Sequence, residues 1–320
     1  MKINIIGGGD FACALAFNLA NDGKKIQIWN RSKKKKKDLF KDIFLKEKQE
    51  KNLKNIMVTT DLKKSFLNTD LSLLCIPAQA TKSFFETNYK LIPKIPIVIC
   101  CKGIDNETHS LQSEILKKYC PQNLCLILSG PSFAKEIINQ KPTAVTLACE
   151  ENKKGKRIQN ILSNKNLRIY FSNDIIGVQI GGALKNVIAL ACGITAGKEL
   201  GESAKISLMT RGFFEIKKIG IKMGGKPETF SGLSCLGDLC LTCNSNLSRN
   251  FQKGFSIGKK TFYNESTVEG LKTSEAASIL AQKHNVDTPI INAVCQIIKD
   301  EKSVSKVISN LLSRPLIDEN

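Results

Sequence analysis

The sequence predicts a mostly parallel, doubly wound α/β domain over residues 1–172, joined to an all-α domain over residues 173–320. Two observations carry that prediction. Up to Ser172, short apolar β-branched runs alternate with amphipathic stretches, the pattern of a parallel sheet covered on both faces. From Asn173 onward the strand-like runs stop and the apolar spacing becomes helical.

The expected strands are Lys2–Gly7, Lys25–Asn30, Ile56–Thr60, Leu71–Pro77, Pro96–Lys102, Cys125–Gly130, Thr143–Cys149 and Leu167–Ser172. Between them, Phe11–Ala20, Thr81–Tyr89, Ser110–Tyr119 and Ile158–Ser163 read as helices. The second half reads as helices over 174–198 and 203–222, a glycine-rich connection, then helices over 266–283 and 288–313. At 320 residues the chain is long enough for two cores of ordinary size.

Directly after the first strand comes "GGGDFA", with Gly7-x-Gly9-x-x-Ala12 opening a helix. Glycines let such a turn approach a pyrophosphate, whose charge meets the helix N-terminus. The first domain is therefore expected to be Rossmann-like and to bind a dinucleotide through Gly7, Gly9, Asp10, Phe11 and Ala12. Asp10 is an odd neighbour for a diphosphate; capping the helix is the alternative. The second strand ends in "WNRS", with Asn30 and Arg31 where an NAD reader usually carries an acid, and Lys33–Lys37 follow. That cationic setting favours NADPH/NADP, with NADH/NAD also accepted; Arg31 stacking on the adenine would suit either.

Net charge is +19, yet only six of the 48 basic residues are Arg and aromatics make up 6%. Lysines spread along the whole chain describe a solvated surface, so no nucleic-acid partner is expected. The twelve cysteines fall largely in apolar runs, and the N-terminus reads as a strand followed by glycines, so a reducing cytoplasm is expected. Cys240-x-x-Cys243 lacks further ligands nearby, His109 and His284 being distant in sequence, so no metal is expected.

One cation asks for an explanation. The run from Ile175 to Gly197 contains only Gln179, Lys185, Asn186 and Thr195 as clearly polar residues. It is long enough for a bilayer, but five glycines and a central Lys-Asn pair favour a buried helix without stable membrane insertion. A buried ammonium needs an anionic partner, and "GLSCLGDLCLTC" supplies Asp238, an isolated acid. A carbonyl reductase needs a proton donor beside the nicotinamide; with both histidines in polar, loop-like settings, Lys185 is the candidate and Asp238 its orienter.

Taken together, "SGPSFAKE", "KGID", "GGALKNVIALACG", "MTRG", "CLGDLCLTCNSNLSRN" and "VEG" resemble the motif set of the glycerol-3-phosphate dehydrogenases, most closely the bacterial NAD(P)-dependent type. The resemblance runs from Lys2 to "LLSRP" near the C-terminus. It implies interconversion of dihydroxyacetone phosphate and sn-glycerol 3-phosphate by hydride transfer, supplying phospholipid synthesis. It puts the catalytic lysine on Lys185 with Asn186 beside it, and a lysine near cofactor and substrate on Lys102. Ser248, Arg249 and Asn250 match the phosphate-binding region, where an Arg fork and an amide supply several donors, and Arg249 is also near the cofactor. Gly130 and Ser132 match substrate contacts; Ala134, Thr267 and Glu269 match cofactor contacts. Thr242, one helical turn after Asp238, is placed to hydrogen-bond within the site. The partners expected are a small phosphate-bearing substrate and a second copy of the chain in a homodimer.

Two departures stand out. Asp10-Phe11-Ala12 replaces the family's usual Ser-Trp-Gly, and Ser203 replaces a common Asn, which bears either on helix packing or on substrate contacts. The competing expectation keeps the architecture and changes the substrate to a 2-hydroxy acid or a ketopantoate-like compound, whose carboxylate would replace the phosphate.

Overall fold

The computed structural model describes residues 1–33, 36–40, 53–263, 268–300 and 303–315, the side chains of Lys36 and Lys37 apart. All eight expected strands form: β1 (Lys2–Ile6), β2 (Lys25–Trp29), β3 (Ile56–Thr59), β4 (Leu71–Leu74), β5 (Ile97–Ile99), β6 (Cys125–Ser129), β7 (Thr143–Ala148) and β8 (Leu167–Ser172). They make one sheet in the order β3-β2-β1-β4-β5-β6-β7-β8. Pairing is parallel throughout except between β6 and β7. The chain steps outward from β1 in one direction to β3 and in the other to β4, so a switch point opens between β1 and β4. Ligands gather outside the carboxyl ends of strands at such a point.

Alternate residues of each strand point to opposite faces, and both faces are buried. Ile3, Ile5, Ile26, Ile28, Leu73 and Val98 share a core with α1 (Asp10–Asn21). Ile6, Leu74, Ile97, Ile99 and Ile127 face the other way, against α4 (Ala78–Asn88) and α5 (Gln112–Tyr119). The helix expected over 158–163 begins earlier, as α7 (Asn152–Leu162). Among the described residues, this half also holds three short α-helices that no pattern announced: α2 (Lys36–Phe40), α3 (Leu62–Ser65) and α6 (Ala134–Ile138). At four or five residues each, they are too short to show a period.

After Ser172 every described element is helical. Asp174 caps α8 (Ile175–Gly197), its Oδ1 accepting from Gly177 N at 2.8 Å. This helix is long and apolar enough to cross a membrane, but 94% of its most apolar window is buried inside the protein. It is the spine of the helical half, packed by α9 (Glu202–Lys222), α11 (Asp238–Cys243), α12 (Arg249–Lys259) and α13 (Glu269–Lys283). Gly182 lets α8 press onto the end of β6, where a Cβ would lie 2.4 Å from Ser129 Oγ.

The expected glycine-rich connection is instead largely helical. It holds α10 (Pro227–Phe230), a π-helical turn at Leu233–Gly237, then α11 and α12. Its start signals were in the sequence, Pro227 at the opening of α10 and Ser248 as the cap of α12, but glycine density masked them. The expected helix over 288–313 is broken around Asp300 into α14 (Pro289–Lys299) and α15 (Val304–Leu312).

Candidate active site

The glycine turn leaves β1 at the switch point. Gly7 has φ 122°, and a Cβ there would lie 2.5 Å from the Cys75 carbonyl oxygen at the end of β4. Only glycine fits that crossing. At Gly9, in contrast, a Cβ would meet no protein atom within 4 Å. Space beside the N-terminus of α1 that the protein itself does not fill is what a diphosphate requires, so the turn fits a dinucleotide. Gly8, which the sequence reading did not single out, is pinned by Asn30: a Cβ would lie 2.7 Å from Asn30 Oδ1. The run of three glycines was the available signal.

Asp10 is exposed and begins α1, whose N-cap is Gly9, so the capping alternative does not hold. It stands in the first turn, where negative charge is favoured, and no side-chain cap bond forms there. Ala12 is buried, and Phe11 packs with Ala134 against α1 and α6. Asn30 turns inward, its Nδ2 donating to Ser32 O at 3.0 Å and Ser32 Oγ at 2.9 Å, while Arg31 and Lys33 are exposed. The rest of the lysine run lies outside the described residues or their side chains, and Thr267 lies outside them altogether.

Across the crevice, three charges from distant segments meet. Asp238, 2% exposed, takes Lys102 Nζ on Oδ2 at 2.6 Å and Lys185 Nζ on Oδ1 at 2.8 Å. Lys185, 5% exposed, also donates to Thr242 Oγ1 at 2.6 Å, and Thr242 Oγ1 donates to the Asp238 carbonyl at 2.6 Å. Lys102, three residues past β5, donates to Gly130 O at 2.9 Å, which also accepts from Ser132 Oγ at 2.9 Å. The π-helical turn ends where Asp238 begins α11; a widened turn of this kind re-aims the side chain that follows it. Asp238 was expected beside Lys185 alone, and the structure puts both lysines on it.

Two ammoniums on one carboxylate leave one net positive charge, suited to an anionic substrate. Burial lowers the Lys185 pKa from its ordinary value, Asp238 opposes that, and the Lys102 charge reinforces it. An ammonium so placed gives up its proton more readily than a solvated lysine.

Most of the remaining expected residues sit at the openings of α12 and α13. Ser248 is buried and caps α12, its Oγ accepting from Phe251 N at 3.2 Å. Arg249, exposed, opens α12 and acts electrostatically on Glu269 at the start of α13. Burial raises the pKa of the half-buried Glu269 carboxylate, and the nearby Ala78 N–H at the opening of α4 opposes that; its Oε2 is buried without a hydrogen-bond partner. Asn250 bonds Asn186 and the Gly270 main chain. Ala78 and Gly270 contribute through the backbone, which no residue-type signal announces. Ser203 is exposed in the first turn of α9 and makes no site contact among those described.

A nucleotide crevice that opens onto a buried proton-carrying side chain makes the protein a dinucleotide-dependent oxidoreductase. Its relatives narrow that class. The chain belongs to the NAD-dependent glycerol-3-phosphate dehydrogenase family, whose N-terminal model matches residues 2–155 and whose C-terminal model matches residues 174–309. It is 38% identical over 334 residues to the glycerol-3-phosphate dehydrogenase (NAD(P)+) of Parvibaculum lavamentivorans, covering 99% of this chain and 98% of that one. It is also 38% identical, over 327 residues, to the enzyme of the same name from Ruegeria sp., covering 100% of each. The crystal structure of glycerol-3-phosphate dehydrogenase from Coxiella burnetii superposes with a TM-score of 0.89 at 31% identity, covering 98% of this chain and 99% of that one.

Proposed function

We infer that this protein interconverts dihydroxyacetone phosphate and sn-glycerol 3-phosphate with NAD(P), as the names of its relatives describe for them. The observation that carries the chemistry is the Lys185–Asp238–Lys102 cluster. NAD(P)H, when bound along the turn at Gly7, Gly9, Asp10, Phe11 and Ala12, supplies the hydride. Lys185 donates a proton to the carbonyl oxygen in reduction and accepts it back in oxidation. Asp238 and Thr242 hold its Nζ in place, and Lys102 adds positive charge where oxyanion character develops. Gly130, Ser132 and Asn186 line the substrate, and the opening of α12, with Ser248, Arg249 and Asn250, receives the phosphate. Ala134, Arg31, Arg249, Thr267 and Glu269 complete the cofactor contacts. The absence of an acid at the end of β2 and the exposed Arg31 and Lys33 support a preference for NADPH.

The same reading divides the chain at residue 172 into a nucleotide domain and a substrate domain. It takes the working unit to be a homodimer in the cytoplasm, supplying phospholipid synthesis. Twelve free thiols suit a reducing compartment, and the burial of α8 argues against membrane insertion. The whole-length family match gives no support to the 2-hydroxy-acid alternative. A spectrophotometric panel decides: NADPH consumption with dihydroxyacetone phosphate and not with ketopantoate is expected, and the reverse would overturn the reading.

A further inference from the structure

Lys102 stands on a loop, not on a strand. β5 ends at Ile99, and Cys100 N still donates to Leu74 O at 2.9 Å. Asp105 then begins a turn that closes on itself: its N–H donates to Ser110 O at 3.1 Å and its Oδ2 accepts from Thr108 N at 2.8 Å. Between them, from Cys101 to Ile104, no main-chain group bonds to another main-chain group among the described residues. Two glutamine amides serve instead. Gln112, buried at the opening of α5, donates from Nε2 to Gly103 O at 3.2 Å. Gln79, the second residue of α4, donates from Nε2 to Ile104 O at 2.7 Å and accepts at Oε1 from Asn106 N at 3.0 Å. A main-chain carbonyl can only accept and a main-chain N–H can only donate, so the Gln79 carboxamide has one orientation. It joins alternate residues of the loop, as a neighbouring strand would. The fit is close: a Cβ at Gly103 would lie 2.7 Å from Ala78 Cβ, beside Gln79.

We propose that Gln79 is a positioning residue for Lys102: its carboxamide, helped by that of Gln112, clamps the loop from which Lys102 reaches Gly130 O and Asp238. This rests on the dehydrogenase reading and deepens it, because that reading makes Lys102 the charge beside the substrate carbonyl. A lysine on a loose loop must be ordered each time it is used, at a cost in conformational entropy. The clamp orders the main chain beforehand, so that Nζ stays 2.9 Å from Gly130 O and 2.6 Å from Asp238 Oδ2. Gln79 itself touches neither of those partners and acts only through the loop.

A double-mutant cycle separates positioning from mere support. Gln79→Met keeps the length of the side chain and removes both bonds. It should lower kcat/KM for dihydroxyacetone phosphate by about tenfold when Lys102 is present, and by less than about twofold in a Lys102→Met background. Equal falls in the two backgrounds would make Gln79 a structural prop and overturn the proposal. Gln79→Glu is the milder variant: it keeps an acceptor for Asn106 N and loses only the donor to Ile104 O, so its fall should be smaller and should depend on Lys102 in the same way. Acetylation of Lys102 by acetic anhydride, followed by mass spectrometry on the folded protein, reads the hold on the side chain without activity. It should quicken by about threefold or more in Gln79→Met, and an unchanged rate overturns the proposal. Wild type that does not turn over dihydroxyacetone phosphate, while Gln79→Met still quickens this labelling, would sink the dehydrogenase reading and leave the clamp standing.

Discussion

The glycine turn occupies six consecutive residues, from Gly7 to Ala12, and works mainly through backbone and space. The charge cluster draws Lys102, Lys185 and Asp238 from three segments and works through side chains held in a buried network. In the turn, what matters is where atoms are missing. In the cluster, what matters is that every polar atom has a partner, because a buried charge without one costs several kcal/mol. Substitution should therefore act on binding or folding in the first region and on proton transfer in the second.

The largest expected effect lies in the cluster. Lys185→Ala should lower kcat by on the order of 10²–10⁴ with NADPH affinity nearly unchanged, as loss of a general acid does. Asp238 keeps Lys102 in that variant, so the fold survives; steady-state kinetics with full turnover retained would remove Lys185 from its role. Within the turn, Gly9→Ala and Gly7→Ala should part company. Alanine at 9 fits the protein but fills the space beside α1, so NADPH affinity should drop by about tenfold with little change in Tm. Alanine at 7 meets the Cys75 carbonyl and a positive φ, so Tm itself should fall. Calorimetry together with NADPH titration checks both, and equal Tm values for the two variants would contradict the geometry.

A smaller effect concerns pH. Lys185 must be protonated to act as the acid in reduction, and its pKa is lowered, so the reductive rate should fall along an alkaline limb below the ordinary lysine range. In oxidation the deprotonated form is needed, and the rate should rise through the same limb. The Lys102 charge helps lower that pKa, so Lys102→Met should move the limb to higher pH; a shift to lower pH would break the assignment.

The smallest effect is remote from both regions. Glu215 on α9, buried and accepting from Ile290 N at 2.7 Å and Ile291 N at 3.0 Å, has its pKa raised by burial from 4.5 to about 7. Its neutral form is favoured in the folded state. That contribution to stability is fully present below pH 4.5 and is lost as pH rises through about 7. Tm measured across that window should decline, and Glu215→Gln should flatten the decline.

The same contrast explains what was legible beforehand. The eight strands and the turn could be read because each is a local run with its own period or residue type. Lys185 and Asp238 could be read because each is a polar residue stranded among apolar ones. That Lys102 shares Asp238 could not, since nothing local links residues 102 and 238. The helices within 223–259 were hidden by glycine density, and the reversal of β7 leaves no mark on a strand's own composition. Family resemblance named Asn250 and Glu269 but could not tell that a backbone N–H, of Gly270 or of Ala78, faces each carboxamide or carboxylate.

That reversal of β7 has a consequence for what can vary in this chain. Because β7 and β8 run against β1–β6, α8 starts at the amino edge of the sheet and must climb back to the carboxyl edge. The ten steps from Ile175 to Lys185 cover about 15 Å, close to the length of a five-residue strand such as β6. The helix is a ruler. One residue inserted before Lys185 would turn its side chain by about 100° and carry it away from Asp238. Exchanges among the larger apolar residues along those steps can be absorbed, whereas a change in the number of steps cannot.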